Sequence, residues 1–200
     1  DPHQQYLNAF YQQPITQQYN ASVSGGNNRY AWQVAMSYNQ LQGQQKGNEG
    51  NKKNIRLENK FKPLNNLEIV LNAFYTYNLS QNHVIPAYNN VTIGSKRVPY
   101  LSFADENGQA IAIDQHYRGI YTDTAGAGRL LNWKYYPLTE YQYRNQKNVA
   151  QNLLVNIAVN YDFLNSLRLS LNFQQEQQWN TTEALSAIES FYTRDLINTY

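Results

Sequence analysis

The sequence contains no cysteine, few charged residues and no long apolar run. Without cysteine, the chain has no disulfide, no thiolate metal site and no thiol nucleophile. Charged residues make up only 15%, and a net charge of +2 gives no basic surface that would indicate a nucleic-acid partner. No run of about 18 apolar residues is present, so no transmembrane helix is predicted. The start at Asp1-Pro2 lacks a signal peptide and is typical of a processed chain or part of a longer one.

Uncharged amides supply most of the polarity, since the chain has 27 Asn, 21 Gln and 18 Tyr. They alternate with apolar residues, which favours ordered strands over low-complexity disorder. The clearest case is RYAWQVAMSYNQL at 29–41, where large residues from Tyr30 to Tyr38 occupy every second position. Such a face is the packed core of a soluble sandwich or the lipid-facing side of a membrane barrel.

Alternation of this kind predicts six strands, at 15–24, 29–41, 54–62, 66–78, 149–161 and 167–178. Short connections at 25–28, 62–66 and 162–166 alternate with long ones at 42–52, 79–147 and from 179 onward. Outer-membrane barrels have this alternation of short turns and long loops. The predicted fold class is therefore all-β, with antiparallel up-and-down strands of a large transmembrane β-barrel and a long extracellular loop. Six strands cannot close a large barrel, so the chain is expected to be part of one barrel domain. A soluble sandwich stays open as an alternative.

On the barrel interpretation, the large side chains of the alternating strands face lipid. The predicted lipid-facing residues are Tyr30, Trp32, Val34, Met36, Tyr38, Leu153, Val155, Ile157, Val159, Leu167, Leu169 and Leu171. Aromatic residues near strand ends would form the interfacial girdles. These are Tyr19, Tyr30, Tyr38, Phe61, Tyr75, Tyr77, Tyr161 and Phe173.

The last segment changes its period. Leu185, Ile188, Tyr192 and Leu196 recur at helical spacing, and Asn180 with Glu183 matches a capping box. A short loop helix is predicted over 183–198.

No local motif indicates an enzyme or a cofactor. His3, His83 and His116 are far apart in predicted loops or termini, so no metal site is predicted. The sequence DENG at 105–108 lacks the ligand spacing of a calcium loop and predicts a β-turn. A serine nucleophile elbow, GxSxG, is absent, and no catalytic residue is predicted.

The long connection is rich in aromatic residues, and these are the candidate ligand- or partner-binding residues. They are Trp133, Tyr135, Tyr136 and Tyr141, together with Arg144. Aromatic faces beside polar groups suit sugar rings and protein interfaces. The same residues could equally pack the loop against itself.

The segment YNASVSGGNNRYAWQVAMSYNQLQG (19–43) resembles a recurrent hairpin of the SusC/RagA-like TonB-dependent transporters. The matching residues are Tyr19, Asn20, Ser22, Val23, Ser24, Gly25, Gly26, Asn27, Tyr30, Tyr38, Gln42 and Gly43, and Arg56 and Asn59 suit the next strand. NWKYYPLTE (132–140) and FYTRDLIN (191–198) resemble loop segments of that family. The aspartate-tryptophan pair common upstream of that hairpin is missing.

The resemblance implies a stretch of an outer-membrane barrel of a Gram-negative bacterium, with the family's plug domain lying outside this chain. It also implies TonB-dependent import of oligosaccharides or peptides, together with a SusD-like surface lipoprotein and with no covalent chemistry on the substrate. Two alternatives remain: a soluble all-β carbohydrate-binding or adhesin module, and a passive porin-type barrel.

Overall fold

The computed structural model describes residues 2–94, 96–98, 101–163 and 167–200. Eight strands occur in this part of the chain: β1 (Ile15–Gly26), β2 (Tyr30–Gln42), β3 (Glu49–Leu64), β4 (Leu67–His83), β5 (Thr92–Ile93), β6 (Lys96–Arg97), β7 (Arg144–Phe163) and β8 (Leu167–Ser186). The α-helices are α1 (Pro2–Phe10), α2 (Gly119–Thr124), α3 (Pro137–Glu140) and α4 (Phe191–Thr199), with 3-10 turns at Tyr88–Asn90, Ala125–Gly128 and Tyr141–Tyr143. Among the described residues, no helix combines the length and the apolar character needed to cross a membrane.

The six long strands form one antiparallel sheet in the order β1-β2-β3-β4-β7-β8. Each strand pairs with the next long strand along the chain, so the up-and-down arrangement predicted from the sequence is confirmed. The sheet is not closed, because β1 and β8 are its edges and do not pair with each other. Strands β5 and β6 form a separate two-stranded ribbon.

Several strands are longer than their apolar alternation indicates. Strand β3 begins at Glu49, so the predicted long connection 42–52 is in fact the shorter segment 43–48. The long connection spans 84–143 instead of 79–147, because the β4–β7 ladder continues as far as the pair His83 and Asn145. Backbone hydrogen bonds keep the strands paired where both faces are polar, and an apolar period cannot detect such a stretch.

The predicted helix over 183–198 is wrong in its first half. Asn180 and Glu183 do not form a capping box; they lie in β8, where Glu183 pairs with Lys147. The helix begins only after Ser190, whose Oγ accepts a hydrogen bond from the backbone N–H of Thr193 at 3.1 Å. Pairing along the full length of β7 therefore overrides the local helical spacing.

Residues 27–29 form the predicted tight turn between β1 and β2. Asn27 Oδ1 accepts hydrogen bonds from the backbone N–H groups of Arg29 and Tyr30 at 2.9 and 3.0 Å. Gly26 has φ = 156°, and a Cβ atom there would collide with the Tyr30 carbonyl oxygen. A second turn, at residues 65–66, joins β3 to β4. The third predicted turn, at 162–166, falls partly on β7 and otherwise outside the described residues.

The hydrophobic core lies outside the sheet. Its buried side chains come from α1, the connection 84–143 and α4: Tyr6, Phe10, Val91, Phe103, Ile113, Tyr135 and Phe191. We call these three segments the loop cap, and the opposite end of the sheet the turn end. No described residue of the six long strands is buried. The sheet therefore has no core of its own within the described part of the chain.

Candidate functional site

The strand register sorts the side chains of the sheet into an apolar face and a polar face. Directly paired residues share a face. One such row of paired residues crosses five strands; it consists of Val23, Val34, Leu57, Ala73 and Val155. All of the predicted lipid-facing residues lie on this apolar face: Tyr30, Trp32, Val34, Met36 and Tyr38 of β2, Leu153, Val155, Ile157 and Val159 of β7, and Leu167, Leu169 and Leu171 of β8.

The apolar face is open to its surroundings. Val23 is 64% exposed, Met36 55%, Leu167 64% and Phe173 58%. Contiguous exposed apolar surface of this extent is rare on soluble monomers and marks a surface that something else covers. Aromatic pairs occur near both ends of β2, with Tyr19 stacked on Tyr38 at 6.4 Å and Tyr30 against Phe61 at 6.5 Å.

The opposite face of the sheet carries amides, hydroxyls and paired charges. Asn54 donates a hydrogen bond to Ser37 Oγ at 2.8 Å and accepts one from Thr76 Oγ1 at 3.0 Å, which links three strands. Three sets of ion pairs lie on this face. They are Arg56 with Glu58, Lys60 and Lys62 with Glu68, and Arg168 with Asp162.

Two hollows lie along the sheet. A hollow of about 740 Å³ near the turn end is lined by Gln33, Glu58, Lys60 and Asn72, among others. A second hollow of about 480 Å³ includes Ser37, Asn54 and Thr76. One face of the sheet is thus hydrophilic, and the other is apolar and uncovered.

The candidate binding residues of the connection 84–143 pack to different extents. Tyr135 is a core residue, and burial raises the pKa of its hydroxyl. Tyr141 packs on Phe10 with ring centroids 5.8 Å apart, and Tyr136 is half-buried. Packing therefore accounts for Tyr135 and much of Tyr141.

Trp133 and Arg144 make different contacts. Trp133 stacks on Tyr121 at 6.2 Å and lies 5.5 Å from Tyr117, so it belongs to a partly exposed aromatic group. The Arg144 guanidinium lies over the ring of Tyr192, 4.4 Å from its centroid. Arg144 also lines a cleft of about 230 Å³ between α4 and the connection 84–143.

Gln115, His116 and Asp195 line that cleft and were not among the candidate binding residues. His116 Nδ1 lies 3.1 Å from Asp195 Oδ2, and Gln115 precedes His116 on the cleft wall. His116 and Asp195 are 79 positions apart, so no local motif could have paired them. In α1, by contrast, Tyr6 and Phe10 stand at helical spacing, a signal that was available in the sequence.

Two other titratable residues that were considered as metal ligands, His83 and Asp105, contact the backbone. His83 is the last residue of β4 and not a loop residue, and its Nδ1 lies 2.7 Å from the Gly47 carbonyl oxygen. DENG forms the predicted turn, in which Asp105 Oδ1 accepts hydrogen bonds from the N–H groups of Asn107 and Gln109. Within the described ranges, no three His, Asp or Glu side chains are placed to hold a metal ion.

No family model matches the chain, and no curated protein matches it either.

Proposed function

We propose that this chain forms part of the wall of an outer-membrane, TonB-dependent nutrient importer of the SusC/RagA-like type. The observation that carries the proposal is the two-faced sheet, with its uncovered apolar face and its opposite face of amides, hydroxyls and ion pairs. In an outer-membrane barrel, the first face contacts lipid and the second lines the lumen. The unpaired edges of β1 and β8 would pair with further strands of the closed barrel.

The height of the apolar face supports this proposal. On β4 the apolar face runs from Leu67 to Tyr77. At about 3.4 Å per residue this stretch is roughly 34 Å long, which for a strand tilted by about 45° spans roughly 24 Å. That height agrees with the apolar band of about 25 Å on outer-membrane barrels.

A displacement of the apolar band across the sheet supports the tilt. Through the register, Val23, the last apolar residue of β1, is level with Gln175 of β8, whereas the apolar run of β8 begins eight residues away at Leu167. The band thus moves by about eight residues, or roughly 27 Å, over about 24 Å of strand spacings between β1 and β8. The corresponding tilt is close to 45°, as in transmembrane barrels.

The soluble-module alternative would need a second layer on the apolar face. A sandwich buries alternate residues of both sheets in a common core. Here the chain places its core in the loop cap and leaves the apolar face of the sheet open. This arrangement favours the barrel.

Substrate and partners follow from the resemblance of the hairpin at 19–43 to that transporter family. The importer would take up oligosaccharides or peptides, with the loop cap on the extracellular side beneath a SusD-like lipoprotein. TonB would act through the plug domain, which lies outside this chain. The chain would contribute groups that bind the substrate and part of the path through the barrel, with no covalent chemistry on the substrate.

Site-directed labelling tests the orientation of the sheet. Single cysteines placed from Tyr30 to Tyr38 in the complete natural protein would carry a fluorophore, in vesicles that contain a lipid-attached quencher. We expect quenching at even positions and little at odd ones, because only even positions lie on the apolar face. Even positions that resist labelling, in a protein that stays soluble without detergent, would indicate the soluble module.

Energy dependence separates the importer from a passive porin. Uptake of a glycan by cells that depend on this protein should stop when the proton gradient is dissipated. Continued uptake at an unchanged rate would indicate passive diffusion and contradict the TonB-dependent part of the proposal.

A further inference from the structure

The two edges of the apolar face end differently. At the turn end, apolar residues reach the turns themselves, since β2, β4 and β8 begin at Tyr30, Leu67 and Leu167. Toward the loop cap, the same face continues along the strands beyond the apolar band. We call this continuation the outer rim; it comprises Gln17 and the residues of this face at 40–42, 49–53, 79–83, 145–151 and 175–183.

Glutamine is the first polar residue of the outer rim on five of the six long strands. The five are Gln17, Gln40, Gln81, Gln151 and Gln175. On β3, Lys53 comes first and Asn51 follows. Gln17, Gln40 and Gln175 are exposed, so their amide groups are open to whatever surrounds this end of the sheet. An amide both donates and accepts hydrogen bonds without carrying a charge, which suits a layer of hydroxyl groups.

The charges of the outer rim balance. In the described strands, Lys53 and Lys147 stand against Glu49 and Glu183, and Lys147 pairs directly with Glu183 in the register. Anionic lipid headgroups are attracted by an excess of lysine and arginine. The rim has no such excess within the described residues, so its composition favours an uncharged headgroup.

Aromatic side chains accompany these glutamines. Tyr19 and Tyr38, stacked at 6.4 Å, immediately precede Gln17 and Gln40 on this face. Trp179 is 42% exposed and pairs with Gln151. Amphipathic rings are favoured where an apolar surface meets a wet one, and their flat faces can pack on the C–H face of a sugar ring.

The outer rim is taller than a phospholipid headgroup layer. On β7 it runs from Gln151 to Asn145, which is roughly 20 Å along the strand and roughly 14 Å in height at a tilt of about 45°. Phospholipid headgroups add only about 5–8 Å on each side of the hydrocarbon core. Within the rim, Leu79 pairs with Val149, and both are half-buried. A larger headgroup would cover this height.

We infer that the outer rim is a contact surface for the sugar headgroups of a glycolipid in the membrane leaflet on the loop-cap side. The glutamine amides exchange hydrogen bonds with the sugar hydroxyls, and the aromatic rings pack on the sugar faces. The inference rests on the proposed membrane location of the sheet. It concerns the lipid around the barrel, and it is independent of the imported substrate and of TonB.

Lipid enrichment around the complete natural protein tests this surface. The protein is reconstituted in phosphatidylethanolamine vesicles with equal amounts of a digalactosyl diacylglycerol and phosphatidylglycerol of matched acyl chains. The first lipid offers sugar without charge, and the second offers charge without sugar. Lipids retained after mild detergent extraction are counted by mass spectrometry. We expect the glycolipid to be enriched over phosphatidylglycerol by about threefold.

Two matched double variants locate the contact. Gln17→Leu with Gln175→Leu removes two amides of the outer rim and should bring the enrichment close to one. Gln18→Leu with Gln174→Leu changes the adjacent exposed glutamines, which lie on the polar face of the same strands, and should keep the enrichment.

The labelling of β2 with quenched fluorophores is measured on the same samples. Normal quenching at even positions without glycolipid enrichment overturns this inference alone, as does a preference for phosphatidylglycerol or an undiminished enrichment in the outer-rim variant. Absence of quenching at even positions contradicts the membrane location, and the inference fails with it.

Discussion

Single residues determine the shape of the first hairpin. Gly26 has a positive φ and lies against the Tyr30 backbone, and Asn27 caps the turn with its side chain. Gly25 plays a different part, because the indole of Trp32 lies over it and an added Cβ would be 3.2 Å from the ring. The glycine pair is therefore used once for backbone geometry and once for packing.

Gly26→Ala tests the backbone role. The added Cβ would collide with Tyr30 and force an unfavourable φ, so we expect local destabilisation by about 1–3 kcal/mol. Hydrogen exchange of the 19–38 segment, followed by mass spectrometry, would report faster exchange. Gly94→Ala is the matched control. Gly94 has φ = 53°, and an added Cβ would have no atom within 4 Å, so this variant has the cost of an unfavourable φ without a collision. Equal local effects of the two variants would contradict the collision.

At the scale of elements, pairing between strands outweighs local helical preference. The residues 183–186 have helical spacing but extend β8 because β7 presents a continuous partner. The helix starts where that partner ends: Ala187 N–H still bonds to the Tyr143 carbonyl, and Ser190 then caps α4. Side-chain contacts from Asn198 to both backbone groups of Leu131, each 2.8 Å long, hold the far end of α4.

Ser190→Ala removes the cap of α4. Loss of the Ser190 Oγ hydrogen bond should destabilise the helix by about 1 kcal/mol. The expected result is faster hydrogen exchange at 191–199, with β8 unchanged. Ser186→Ala replaces an exposed serine of β8 and should have no such effect. Unchanged exchange of α4 in Ser190→Ala would show that tertiary contacts alone hold the helix.

At the scale of the whole molecule, the two faces of the sheet require different surroundings. The polar face satisfies its groups by cross-strand hydrogen bonds and ion pairs, whereas the apolar face has no covering layer in the described chain. A charge should therefore be tolerated on one face and rejected on the other when the protein is in lipid.

Arginine at two adjacent positions of β2 tests this difference. Val34→Arg puts the charge on the apolar face and should reduce folding stability in lipid by about 2–4 kcal/mol. Gln33→Arg puts the same charge opposite Glu58 on the polar face and should have a much smaller effect. Denaturant titration of the complete protein in vesicles measures both. Similar losses for the two variants would contradict the assignment of the faces.

The sequence by itself determined the all-β class, the six strands with their antiparallel order, and the face on which each large side chain lies. These features depend on a period of two residues, which is local and visible in one chain. It also named Trp133 and Arg144 as candidate binding residues, without distinguishing binding from packing of the loop. The assignment to an importer stays a proposal that depends on the resemblance of one hairpin and on the two faces of the sheet.

The tertiary structure decided where the long strands end, where α4 begins, and how α1, the long connection and α4 assemble into a core. It also brought His116 to Asp195 and gathered three unpaired polar atoms around one cleft. These features depend on backbone pairing beyond the apolar stretch and on contacts between residues far apart in the chain. Neither leaves a periodic signal, so only the folded chain shows them.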